Sequence, residues 1–184
     1  MKTSYIFLAD GFEEVEALTS IDVMRRAGMP VTTVSIGEGL EVTGAHGVTV
    51  LADSLYSDND YSDAEWLVLP GGMPGATNLA AHEALCRELV EQDDRGGKVA
   101  AICASPAVVL APLGLLADRD AVCYPGMEAP LPGINWRNAP VAVAGNVVTG
   151  NGPAAAAPFA LAMVAFSLGQ EAADAVAAGM LLPH

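Results

Sequence analysis

Lys98-Val99-Ala100-Ala101-Ile102-Cys103-Ala104-Ser105-Pro106 is the stretch whose reading decides the fold. A short apolar run stops at Cys103 and a new apolar segment begins at once. Proline is tolerated in the first turn of a helix, where its missing N–H forfeits no internal bond, so Pro106 predicts a helix over Ser105 to Leu113. The junction therefore reads as a strand-to-helix elbow with Cys103 at its corner, the turn that lifts a nucleophile out of a sheet. Free N–H groups at the start of such a helix favour thiolate and lower the thiol pKa from its usual ~8.5. The same run also suits a buried core cysteine, and the surroundings must decide between the two.

Outward from the elbow, apolar runs alternate with helical patterns. Tyr5 to Ala9 reads as a buried strand. Glu13 to Ala27 reads as a helix closed by Gly28, with acids in its first turn and Arg25 and Arg26 in its last. Val15, Leu18, Ile21 and Met24 recur at three-residue spacing and mark its expected buried stripe. Val31 to Ile36, Trp66 to Leu69 and Lys98 to Ile102 are further strands, and residues 37–53 form a hairpin-like excursion around Thr43-Gly44-Ala45-His46-Gly47. Ala84 to Asp94 is helical until Gly96-Gly97 breaks it. Val122 to Tyr124, Val141 to Ala144 and Asn146 to Thr149 add β structure, and Pro153 to Leu168 and Glu171 to Ala178 close the chain as helices. Buried strands separated by helices predict an α/β three-layer sandwich with a mostly parallel central sheet. Reacting groups in such sheets gather beyond the carboxyl ends of the strands, where Asp10 to Glu16, Pro70 to Gly75 and Cys103 to Pro106 all fall.

The 184 residues suit one domain spanning 1–184. Eight basic against 22 acidic residues give a net charge of −14, which opposes binding to nucleic acid or to anionic membrane surfaces. No apolar run reaches the ~20 residues needed to span a bilayer, and Tyr5 to Ala9 is too short for a signal peptide. Three cysteines suit a reducing compartment, so a cytoplasmic location is expected. A composition 52% hydrophobic is a lot for a small domain to bury alone and points to self-association.

Pro70-Gly71-Gly72-Met73-Pro74-Gly75 leaves backbone N–H groups bare at consecutive glycines, a small nest for negative charge. Neither a phosphate-binding P-loop nor a Gly-x-Gly-x-x-Gly turn is present, so no nucleotide cofactor is expected. Glu13 and Glu14 read as charges complementing the helix dipole. Glu16 borders the buried stripe instead. A carboxylate held beside a thiolate in a poorly solvated cleft shares one proton with it, so Glu16 reads as an acid able to donate to sulfur. His46 is an accessory base or a plain loop histidine; His82 and His184 read as solvated. Three histidines and three cysteines without ligand spacing predict no metal site. Cys86, on a helical stripe, reads as structural. Cys123 either resolves an oxidised Cys103 or points away from it.

Gly11-Phe12-Glu13-Glu14-Val15-Glu16, Asp22-Val23-Met24-Arg25-Arg26-Ala27-Gly28, Leu69-Pro70-Gly71-Gly72, Gly75-Ala76-Thr77-Asn78-Leu79, Ala100-Ala101-Ile102-Cys103-Ala104 and Gly152-Pro153 together resemble the ThiJ/PfpI superfamily, with its class I glutamine amidotransferase-like fold. Within it, the chain is similar to the branch of the parkinsonism-associated protein deglycase. The resemblance implies a flavodoxin-like homodimer with Cys103 as nucleophile, Glu16 as the protonated partner of its sulfur, and the Gly72 and Ala104 N–H groups as oxyanion donors. It implies cofactor-free glyoxalase or deglycase chemistry on methylglyoxal or early glycation adducts, in stress defence. The alternative it carries is a redox sensor or chaperone acting through oxidation of Cys103. Peptidase activity and thiazole-phosphate biosynthesis belong to the superfamily by membership or name, and fold alone selects neither. Two departures stand out. Tyr124, before Pro125, occupies a place where many relatives have a histidine, which weakens a Cys-His peptidase reading. His46 stands where relatives have an arginine reaching a neighbouring subunit.

Overall fold

The computed structural model describes residues 1–128 and 133–182; His184 lies outside the described residues. In chain order the elements are β1 (Ser4–Leu8), α1 (Glu14–Arg26), β2 (Val31–Ser35), β3 (Glu41–Thr43), β4 (Thr49–Leu51), β5 (Ser54–Leu55), β6 (Trp66–Leu69), α2 (Gly75–Ala81), α3 (Glu83–Asp94), β7 (Lys98–Ile102), β8 (Asp120–Ala121), β9 (Asn135–Trp136), β10 (Val141–Ala144), β11 (Val147–Gly150), α4 (Ala156–Leu168) and α5 (Gln170–Gly179).

Seven strands form the central sheet in the order β10-β11-β7-β6-β1-β2-β5. Every pairing is parallel except β10 with β11, which turn through Gly145-Asn146. β6 is buried throughout, as a strand covered on both faces must be. One apolar layer packs α1, α4 and α5 against Ile6, Leu8, Trp66, Val68, Ala100 and Ile102; the other packs α2 and α3 against the alternate residues Phe7, Leu67, Leu69, Val99 and Ala101. The expected mostly parallel α/β sandwich is therefore the observed one. β3–β4 and β8–β9 are separate two-stranded sheets, the first being the expected hairpin-like excursion.

From β1 the chain builds outward through β2 and β5, then returns to the other side of β1 for β6 and β7. The crevice beyond β1 and β6 is thus the topological switch point, where ligands of open parallel sheets bind.

Three expectations are corrected. The helix expected over Ser105 to Leu113 is a π-helix of Pro106–Leu110, closed by Ala111 N donating to Pro106 O at 2.9 Å, with turns beyond it. Among residues 122–124 no regular strand forms; Val122 N donates to the Thr149 hydroxyl and Tyr124 N to the Cys103 carbonyl. The stripe on α1 is also rotated. Val15 and Leu18 are 51% and 42% exposed, while Glu14, Glu16, Ala17, Ser20, Val23 and Met24 face inward. A helix with apolar residues on two faces fixes its rotation by what it packs on, and α1 packs on α4.

Candidate active site

Three chain segments meet beyond the strand ends. Cys103 leaves β7 at φ +64°, a left-handed conformation that side-chain-bearing residues rarely adopt and that functional sites retain. Its backbone is tied on both sides, with Cys103 N donating to Gly150 O at 2.9 Å and Tyr124 N donating to Cys103 O at 2.8 Å. The buried Ser105 hydroxyl donates to Pro70 O at 2.5 Å and fastens the elbow to the loop after β6.

That loop requires glycine. A Cβ on Gly71 would lie 2.5 Å from Cys103 Cβ, 3.0 Å from its Sγ and 2.8 Å from Glu16 Oε2, so thiol, acid and backbone converge there. Gly72 has φ +87° and packs on the Glu13 amide and the Gly11 carbonyl. The Gly72 N–H, with that of Ala104, favours the charged form of the Cys103 sulfur.

Glu16 is sealed from solvent on the first turns of α1. Its Oε2 accepts the Gly71 N–H at 2.8 Å, and its Oε1 is buried with no hydrogen-bond partner among the described residues. Burial pushes the Glu16 carboxyl up to about 7 against the Gly71 N–H and the Cys103 thiol, which both lower it, and the neighbouring Glu13 charge adds to the rise. Cys103 is 8% exposed. Burial first, and then the Glu16 carboxylate, push its thiol up to about 12, outweighing the Gly72 and Ala104 N–H groups. The elbow alone therefore does not ionise the thiol. A five-residue π-helix supplies too little dipole, and the pair resists holding two negative charges. Ionised sulfur belongs to the state in which Glu16 keeps its proton.

His46 is not brought to the sulfur. Its Nδ1 lies 2.9 Å from Glu14 Oε2 and 3.6 Å from Glu13. Glu14, expected only to complement the dipole, is a buried anchor: Oε1 accepts the His46 and Val48 N–H groups at 2.8 and 3.3 Å. Burial alone would raise it, yet the His46 ring and backbone donors bring it to about 2, and the same contact raises His46. Glu13, Glu14 and His46 place ligand atoms within 4.8 Å of one another, the grouping among the described residues best suited to a cation. His82 is half-buried rather than fully solvated; it caps α3 by accepting the Leu85 N–H and its ring lies tilted against Tyr56. Cys86 donates to the Ala80 carbonyl, as a structural thiol would, and Cys123 is buried with its Sγ toward the Tyr124 carbonyl. Neither Glu14 nor the capping role of His82 was legible in the sequence. The one signal available was a histidine three residues before an N–H it caps.

The description "DJ-1/PfpI family" matches residues 2–166. The chain belongs to that family. A DJ-1 homolog B of Arabidopsis thaliana is 38% identical over 89% of the chain, which spans only 37% of that relative's length. A Parkinson disease protein 7 homolog of Danio rerio is 34% identical, covering 98% of this chain and 97% of its own. The structure of oxidised Toxoplasma gondii DJ-1 superposes with a TM-score of 0.96 at 36% identity over the whole of both chains. Among the described residues of this DJ-1/PfpI chain, no helix is long and apolar enough to cross a membrane.

Proposed function

We propose that this protein performs cysteine-dependent, cofactor-free chemistry on 2-oxoaldehydes, within the stress-related role its DJ-1 relatives support. The observation that carries the reading is the convergence of the Cys103 thiol, the buried Glu16 acid and the Gly72 and Ala104 N–H groups around Gly71. The sulfur adds to the aldehyde carbon of methylglyoxal while its proton passes to Glu16. The oxygen's developing charge is held by the two backbone N–H groups, giving a hemithioacetal. Glu16 hands that proton to the oxygen, and the freed carboxylate then takes the proton from C1 and returns it at C2 through an enediol, leaving a thioester of lactate. Water cleaves the thioester and frees the thiol. Methylglyoxal plus water gives lactate, with no net oxidation. Hemithioacetals of early glycation adducts would enter at the same carbon.

Incubating the purified protein with methylglyoxal tests this. Lactate is expected from the wild type, with a loss of about 10³-fold or more in Cys103→Ser. Lactate formation that survives Cys103→Ser rules the nucleophile out.

The same N–H groups would also hold the oxygens of an oxidised sulfur, which favours oxidation sensing as the second reading; the Toxoplasma relative was captured oxidised. Intact-mass and peptide analysis after mild peroxide should show two oxygens on Cys103 before Cys86 or Cys123. We also propose a cytoplasmic homodimer, supported by exposed Val15 and Leu18 on α1 and Val48 and Leu51 at the β3–β4 hairpin. Sedimentation showing only monomer would count against it.

A further inference from the structure

The cavity beside the elbow carries a residue choice that the mechanism does not use. A space of about 360 Å³ is lined by Tyr124, Pro125, Asn151, Gly152, Pro153 and Ala154. Both of its walls are anchored on the nucleophile's own backbone. Tyr124 N holds Cys103 O, and Cys103 N holds Gly150 O immediately before Asn151. The lining thus lies one backbone hydrogen bond from the residue that carries the thiol.

Two properties of the lining bear on what it accepts. It contains no lysine, arginine or histidine. The nearby ionisable groups are acids: Glu16 and Glu13 on the sulfur side, and Glu128, whose charge acts on Cys123 and whose carboxylate accepts the Gly126 N–H. Eight basic residues against 22 acidic ones in the whole chain give the overall field the same sign. A carboxylate or phosphate entering would meet repulsion and find no cationic side chain in the lining. The second property is the Tyr124 ring, 48% exposed although its backbone is held. One edge lies over Gly152, where an added Cβ would stand 3.4 Å from Cδ2, so glycine leaves the ring room beside the cavity. A half-exposed aromatic face in the lining of an uncharged cavity is a platform for a planar apolar group.

Resting on the reading of Cys103 as the nucleophile, we propose that Tyr124 is a specificity residue: its ring and the uncharged cavity beside it favour neutral, aryl-bearing 2-oxoaldehydes and reject anionic ones. The reacting carbonyl sits at Cys103, and the substituent remote from it lies on the Tyr124 face. A cationic side chain at position 124 would reverse the charge selection.

Two measurements test this, and the first needs no turnover. Iodoacetamide and iodoacetate, of similar size but different charge, are reacted with the protein and followed at Cys103 by peptide mass spectrometry, with Cys86 of the same molecule as reference. The amide-to-carboxylate rate ratio at Cys103 should exceed that at Cys86 by about tenfold, and Tyr124→Lys should bring it down by about the same factor. A ratio no larger than at Cys86, or one indifferent to Tyr124→Lys, overturns the charge selection. In the second, kcat/KM is compared for methylglyoxal, phenylglyoxal and 4-carboxyphenylglyoxal. Tyr124→Ala should lower the phenylglyoxal-to-methylglyoxal ratio by about three- to tenfold, the size of one aromatic contact, and Tyr124→Phe should preserve it. Equal turnover of phenylglyoxal and its carboxylate overturns the charge selection, and an aryl preference untouched by Tyr124→Ala overturns the platform. If no 2-oxoaldehyde is turned over, the carbonyl reading falls, while the alkylation ratios still decide the charge selection on their own.

Discussion

Glu14 and Glu16 stand two residues apart on the first turns of α1, and both are buried, yet one carboxyl is brought to about 2 and the other to about 7. Burial is the largest single influence on each. What differs is the donors. Glu14 faces the loop between β3 and β4 and collects two backbone N–H groups and the His46 ring. Glu16 turns toward the strand ends, receives one N–H from Gly71 and faces the Cys103 thiol, and its Oε1 has no hydrogen-bond partner among the described residues. Buried charge is tolerated where hydrogen bonds replace the lost water, and a proton is retained where they do not. One turn of helix thus carries a structural anchor and a chemical acid.

The sharpest way to break this contrast is Glu16→Gln. A glutamine cannot accept the sulfur's proton, so kcat/KM toward methylglyoxal should fall by about 10²–10⁴-fold, the range for losing a general acid–base. Stability should move the opposite way. A carboxyl raised above its unfolded value stabilises the fold fully only below about 4.5, and that contribution is lost as pH rises through about 7. At pH 8 the wild type therefore carries a penalty on the order of 3 kcal/mol that glutamine avoids. Denaturant unfolding should find Glu16→Gln the more stable protein at pH 8, with the gap closing by pH 5. A gap independent of pH would show that Glu16 is not the buried acid inferred here.

Glu14→Ala should give the mirror result. Removing the acceptor leaves the His46 and Val48 N–H groups without their partner, costing about 1–3 kcal/mol. Hydrogen exchange should place the loss in β3–β4 while the elbow stays protected. Iodoacetamide reactivity at Cys103 should change by less than about threefold, since the anchor does not touch the sulfur. A collapse of that reactivity would mean that the two carboxyls are not separable.

The sequence carried the chemical half of this contrast better than the structural half. An apolar run ending at Cys103 before Pro106 exposes the elbow, and the register of Glu16 beside an apolar stripe flags it, because both signals are local. Glu14 was opaque. Its donors come from residues 46 and 48, more than thirty positions away, and a carboxylate at a helix start already has an explanation in the dipole. The rotation of α1 was hidden for a related reason. Val15 and Leu18 continue the three-residue spacing, and periodicity does not say which of two apolar faces turns inward when α4 does the packing. The π-helix was hidden because i→i+5 bonding leaves no periodic imprint over five residues.

His46→Ala sharpens the comparison with the smallest effect, one confined to pH. The Glu14 carboxylate is lowered from 4.5, so its tie to the loop is present above that value and is lost as pH falls toward about 2. The His46 imidazole is raised from 6.5, so its share is fully present below 6.5 and is lost as pH rises through its higher folded value. The two signs together place the strongest grip between about 4.5 and 6.5, with a decline on the alkaline side that belongs to the histidine alone. Protection factors for the Gly44 amide, which donates to Val48 O within the same loop, should therefore fall in the wild type as pH passes from 6 to 8. In His46→Ala they should start lower and stay flat over that interval, because the backbone donors to Glu14 remain while the titrating one is gone. A wild-type loop whose protection is flat across the same range would show that the His46–Glu14 contact contributes nothing in solution, and Glu14 would then rest on its backbone donors alone.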